Sequence, residues 1–223
     1  GSSGFFRFIP DVPTRLAQGG KLQMLKVVGV LQADLRLTAS NGTTWDVEWV
    51  DIADPEKVYS TGTNGNGVYT QGFVQGGARF ARGEGCWYGQ GMVWFTSTSG
   101  GAAGQGQIYK YDPRAETLTM VYESPGVGVL NNPDNIAISP RGAAILCEDG
   151  GRRPQKLHGL TFDGTLFTFC ENNVVLNGFK GFTGDFTNNE FAGATFHNEW
   201  LFVNIQTPGI TFAITGPWDN GAL

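Results

Sequence analysis

Three acidic residues, Glu84, Asp134 and Glu190, stand at equivalent places in three stretches of the chain. The stretches are "EGCWYGQGMVWFTSTSGG" from Glu84, "DNIAISPRGAAILCEDGG" from Asp134 and "EFAGATFHNEWLFVNIQTPG" from Glu190. Each reads as an acid, a short strand, a turn and a second strand. Carboxylates that recur at one register of a repeat converge when the repeat closes around an axis, and their mutual repulsion then calls for a cation or for protons. Hard oxygen ligands suit Ca²⁺, and Asn135, Glu148, Asp149 and backbone carbonyls could complete a shell of roughly six to eight oxygens. The competing reading is that acids at strand starts cap loops or face bulk water.

The elements that would position these acids follow from the same repeat. The strands after the turns, "MVWFTS", "AAILCE" and "WLFVNI", are apolar enough to be buried on both faces. Two of the units continue into a hairpin, at 107 to 124 and at 156 to 172, which makes four strands per unit. The acids recur 50 and 56 residues apart (84 to 134, 134 to 190), close to the roughly 40 to 50 residues of a four-stranded propeller blade. The predicted class is therefore all-β, a β-propeller of four-stranded blades.

The chain's start, "GFFRFIPDVPTRLAQGGKLQMLKVVG", reads as the outer hairpin of such a unit, and "GITFAITGPWDNGAL" reads as a third strand without a fourth. About three blades result. Propellers close with about four to eight, so residues 1–223 are expected to form one partial propeller, completed by further residues or by another chain. Two segments interrupt the repeat, 34–80 and 173–189, as binding loops on one face or as plain surface decoration. "FVQGGARFAR" is expected to form a short helix leading into Glu84.

Composition agrees with this class. Gly 34, Trp 6 and Phe 16 suit short strands and tight turns, and the Ala, Leu, Glu and Lys surplus of a helical bundle is missing. Lys+Arg 15 against Asp+Glu 20, with no basic block, argues against nucleic acid as a partner. No apolar run approaches the roughly 20 residues of a transmembrane segment. Cys86, Cys147 and Cys170 lack the spacing of a zinc knuckle and are expected as small buried hydrophobes. His158 and His197 fall in different units, are expected to be exposed, and give little support to a His-based nucleophilic triad; the glycine-rich "GGAAGQG" lacks the Lys-Ser/Thr of a phosphate loop.

"FARGEGCWY", "PDNIAISPRGAAILCEDGG" and above all "EFAGATFHNEWLFVNIQTPGITFAITGPW" resemble the C-terminal half of the PhoX-type alkaline phosphatase family, over nearly the whole chain. The resemblance implies half of a six-bladed propeller whose channel holds Ca²⁺ and Fe³⁺, hydrolysis of small phosphate esters, and a periplasmic or extracellular location. It implies cofactor ligation and a part in catalysis for Glu84 and Glu190, with Asp134, Asn135, Glu148 and Asp149 beside the calcium ions. Two positions depart from the family pattern. The iron-bridging cysteine belongs to a motif outside this chain, which leaves Cys86 a weak candidate ligand that is expected instead to pack near the channel. The arginine that precedes the last Glu by two residues is replaced by Asn188, which removes a bidentate phosphate clamp. Two rivals stand beside the phosphatase: a calcium-dependent lactonase or esterase, and a calcium-binding secreted propeller without activity.

Overall fold

The computed structural model describes residues 1–57, 67–151 and 153–223, with the side chain of Asp219 left aside. Its strands are β1 (Ser2–Ser3), β2 (Phe6–Pro10), β3 (Gly20–Val27), β4 (Thr44–Asp51), β5 (Phe80–Ala81), β6 (Gly83–Gly89), β7 (Met92–Ser97), β8 (Gln107–Asp112) and β9 (Thr117–Glu123). They continue as β10 (Pro133–Ile138), β11 (Ala144–Glu148), β12 (Lys156–Leu160), β13 (Leu166–Glu171), β14 (Val175–Phe179), β15 (Phe182–Asp185), β16 (Phe191–His197), β17 (Trp200–Ile205) and β18 (Ile210–Thr215). Among the described residues there is one α-helix, α1, which spans Val68–Val74.

The repeat units fold as antiparallel blades. β6 to β9 and β10 to β13 each form four neighbouring strands in sequence order, and β16 to β18 form three. The acid of each unit falls where its innermost strand begins: Glu84 is the second residue of β6, Asp134 the second of β10, and Glu190 directly precedes β16.

Strand alternation explains how the blades stack, because successive side chains leave opposite faces of a sheet. In β7, Trp94 joins Ile108, Ile136, Leu146 and Leu160 in the core between the first and second blades. Its neighbour Phe95 turns the other way, into a core with Leu25, Val27, Tyr109 and Leu118. In β11, Leu146 faces the first blade, while Ile145 and Cys147 meet Phe191, Leu201 and Val203 of the third. Strands sandwiched in this way must be apolar on both faces, which is why "MVWFTS" and "AAILCE" show continuous runs rather than alternation.

The segment 34–80 is partly structural. Within it, β4 pairs through Thr44–Asp46 with β9 and through Val47–Asp51 with β3, so the N-terminal hairpin is carried onto the first blade by one strand that changes partners. The helix expected in "FVQGGARFAR" begins earlier, at Val68; Gly76, at φ +100°, lies just beyond its end, and the chain then runs extended into β5 and Glu84. Residues 58–66 of "NGTTWDVEWVDIADPEKVYSTGTNGNG" lie outside the described residues. The second interruption, 173–189, is built around the β14–β15 hairpin.

An ion-pair group fastens this N-terminal region. The Asp34 carboxylate accepts from Arg36 Nε at 2.8 Å and from Arg79 Nη2 at 2.7 Å. Those bonds, Arg36 first, outweigh partial burial and hold the Asp34 carboxyl at about 2, below its ordinary 3.8. A depressed folded-state value stabilises the fold above the unfolded value and the benefit disappears as pH falls through the folded one. Asp34→Asn is therefore expected to cost about 1–2 kcal/mol at neutral pH, allowing for solvent screening. The deficit should shrink between pH 4 and pH 2, as read by denaturant titration across that range.

Candidate metal centre

The starts of the inner strands bring Asp134 together with Glu190 and with Asp149, the residue that follows β11. One carboxylate oxygen of each lies within 4.8 Å of the others. Backbone packing sets these distances. Asn135 Oδ1 accepts from the Ala194 N–H at 3.0 Å, which ties the residue after Asp134 to β16, four residues beyond Glu190. From the first blade, Thr98 Oγ1 donates to the Pro133 carbonyl at 2.9 Å and Thr96 Oγ1 to the Asp134 carbonyl at 3.2 Å. Gly85 lets β6 approach: a Cβ there would stand 2.5 Å from the Asp134 carbonyl oxygen and 2.8 Å from the Ile136 nitrogen.

The electrostatics are those of carboxylates held too close. Burial, then the charges of Asp149 and Glu84, push the Asp134 carboxyl up to about 6. Glu190 is raised to about 8, first because its protonated carboxyl donates to Asp149, then through burial and the charges of Asp149 and Asp134. Repulsion of this kind is relieved either by shared protons or by a cation, and a set of carboxylate oxygens is the donor chemistry of a hard divalent ion.

Glu84 is exposed and sits at the edge of this group, close enough for its charge to act on Asp134. Arg82 approaches from the same side, its Nη2 3.4 Å from Glu84 Oε1 and 3.8 Å from Asp149 Oδ2. Sequence reasoning passed over Arg82, although its place two residues before Glu84 was a visible signal. Asn188 is exposed and lines a polar cavity of about 200 Å³ together with Asp149, Glu190 and Gln206.

The remaining candidates stand elsewhere. Cys86 is an exposed residue beside a small cavity shared with Glu84, Phe5 and Phe95, where desolvation pushes its thiol up. Cys147 is buried and Cys170 half-buried, so the expectation of three buried thiols holds fully for Cys147 alone. Glu148 is fully buried, and its Oε1 accepts from the Asn131 N–H at 2.8 Å and from His158 Nε2 at 3.0 Å. His158, expected at the surface, is 1% exposed: β12 is covered on both faces, and Glu148 takes up its Nε2 while its Nδ1 is buried without a partner. His197 is exposed as expected.

Fold and site together define a propeller-type arc of blades that gathers carboxylates where its inner strands begin. The chain belongs to the PhoX alkaline phosphatase family, whose family model, alkaline phosphatase PhoX, matches residues 1–209. Among solved structures, Pseudomonas fluorescens PhoX in complex with vanadate, a transition state analogue, is similar with a TM-score of 0.57 at 15% identity, over 92% of this chain and 44% of that one. The likeness at that identity is one of fold, and the chain spans less than half the length of that structure. No curated protein matches the chain. Among the described residues no helix is long and apolar enough to cross a membrane.

Proposed function

We propose that this chain supplies the carboxylate side of a metal-dependent phosphomonoester hydrolase centre, the rest of which comes from the other half of a six-bladed propeller. The observation that carries the reading is the convergence of Asp134, Asp149 and Glu190 from successive blades, in a member of an alkaline phosphatase family. The donor set fits a hard cation: three carboxylates in reach of one another, with Asp134 raised well above its ordinary value by burial and then by the neighbouring charges, and Glu190 by its hydrogen bond with Asp149 and then by burial. Ca²⁺ suits these oxygens, and Fe³⁺ beside it is the expectation of the family resemblance.

In this reading Asp134, Asp149 and Glu190 hold the cations, with Glu84 closing the group from the first blade and the Asn135 amide fixing Asp134 against the third. Bound cations supply neutralisation of the phosphate charge and Lewis-acid activation at phosphorus. Arg82 donates to a phosphate oxygen from the rim, which places a guanidinium beside the group although Asn188 provides none. Asn188 and Gln206 line the polar cavity that receives the substrate next to Glu190. The small phosphate ester reaches the centre outside the cytoplasm, in the periplasm or the medium.

The test is elemental analysis of the protein isolated from its source, followed by a p-nitrophenyl phosphate assay. Calcium together with iron and phosphatase turnover that Glu190→Ala abolishes are the expected results. Calcium alone with turnover on lactones, or calcium with no turnover, would move the assignment to one of the rivals. Absence of metal from active protein would remove the centre altogether.

A further inference from the structure

Glu148 and His158 are both almost fully buried, at 0% and 1% exposure, in strands whose other buried residues are apolar. A buried ionisable pair is costly to assemble from water and is weak evidence for stability alone, so its position decides what it does. Along β11, Glu148 shares the face of Ala144 and Leu146, turned towards the first blade. Its Oε1 receives the His158 Nε2–H from β12 and the Asn131 N–H from the loop that leads into β10. One carboxylate oxygen thereby joins the strand carrying Asp149 at its end to the segment that reaches Asp134 three residues later. The Asp149 N–H donates to the Asn132 carbonyl at 3.0 Å, and Asn132 Nδ2 donates in turn to the Thr98 carbonyl of the first blade at 2.9 Å.

We infer that Glu148 and His158 are positioning residues, a buried brace that fixes Asp134 and Asp149 relative to one another. This assigns Glu148, grouped with the ligands by sequence, to holding ligands in place. The inference rests on the cation reading above for its functional consequence, while the brace itself is a property of the fold. Partners of ligands in a surrounding shell typically alter metal affinity by about 10- to 100-fold when removed.

The experiment uses the full chain and two readouts, Ca²⁺ titration calorimetry and amide hydrogen exchange in chelator. Glu148→Leu is expected to speed exchange at Asn131 and Asp149 at least about tenfold, with β17 little changed, and to weaken Ca²⁺ binding at least about tenfold. Glu148→Gln keeps an acceptor oxygen and should restore both to within about threefold. Leu160→Ala, a cavity in the same blade on the strand of His158, should lower the melting temperature without either effect. If Glu148→Leu does not fold, His158→Phe reports on the same brace through the same two measurements. Unchanged exchange at Asn131 and Asp149 in the brace variants, or the same acceleration in Leu160→Ala, would overturn the inference and leave the pair as ordinary core. A wild-type chain that binds no Ca²⁺ would sink the cation reading, and exchange would still decide the brace.

Discussion

Asp134→Asn is expected to raise the melting temperature of the chain in chelator and to abolish the stabilisation that Ca²⁺ gives the wild type. The two effects have opposite signs and one cause. Folding lifts the Asp134 carboxyl from 3.8 to about 6, because it is buried and faces Asp149 and Glu84. A group raised on folding stabilises the native state fully below its unfolded value, and that benefit is lost as pH rises through the folded one. At pH 7 to 8 the ionised Asp134 is therefore a cost, about 1–3 kcal/mol, that an uncharged amide avoids. Each kcal/mol recovered is worth roughly 2–4 °C of melting temperature in a domain of this size. A cation bound only to the folded state adds stability by mass action, about 2.7 kcal/mol at a hundred times its dissociation constant. The amide loses a charged ligand oxygen and with it that increment, so thermal melts with and without Ca²⁺ at pH 7.5 should cross over between the two proteins. A variant that melts below the wild type in chelator would show that no repulsion is stored at Asp134, and the case for a cation would lose its physical basis.

The acids were legible in the sequence because a propeller converts register into position: Glu84, Asp134 and Glu190 mark the same point of three units, and the inner strands do begin there. What the register does not convey is how far each unit turns its side chain inward. Glu84 stays exposed beside Arg82, while Asp149, which belongs to no equivalent position, completes the close group because β11 ends opposite the start of β10. The blades were legible for a similar reason, since strands packed between two sheets are apolar throughout. The helix was displaced because glycines at 76 and 77 end it rather than sit inside it. β4 was hidden in a segment whose alternation, "TWDVEWVD", was masked by the loop-like stretches on either side. His158 shows the limit of reading one residue at a time: in the apolar strand "KLHGL" a polar side chain has to find a buried partner, and Glu148, the polar residue at the end of "AAILCE", is the counterpart.

The seam between the first and second blades predicts the largest loss of stability. Trp94→Ala should cost about 3–5 kcal/mol, the range for deleting a fully buried aromatic side chain from a packed core. Trp94 is completely buried and fills the space where β7 and β8 meet β10 to β12, among Ile108, Ile136, Leu146 and Leu160. Phe162 meets its ring edge-on at a centroid distance of 5.8 Å, and Lys110 Nζ lies 5.5 Å from the ring centroid. Blades touch chiefly through such seams, so a cavity here cannot be closed by moving one side chain; the sheets would have to slide. Trp94→Phe separates volume from polarity. It leaves a smaller void, and it removes the indole N–H, which is buried without a hydrogen-bond partner. Burying such a donor unpaired costs about 1–3 kcal/mol, which offsets much of the lost contact. Urea titration should therefore place Trp94→Phe nearer the wild type than Trp94→Ala, with the slope of the transition unchanged. With a net stability of about 5–15 kcal/mol for a typical domain, the alanine variant would lie close to unfolding. An alanine variant within about 1 kcal/mol of the wild type would mean that the blades are held together elsewhere, through the Thr96 and Thr98 bonds to β10 rather than through the core.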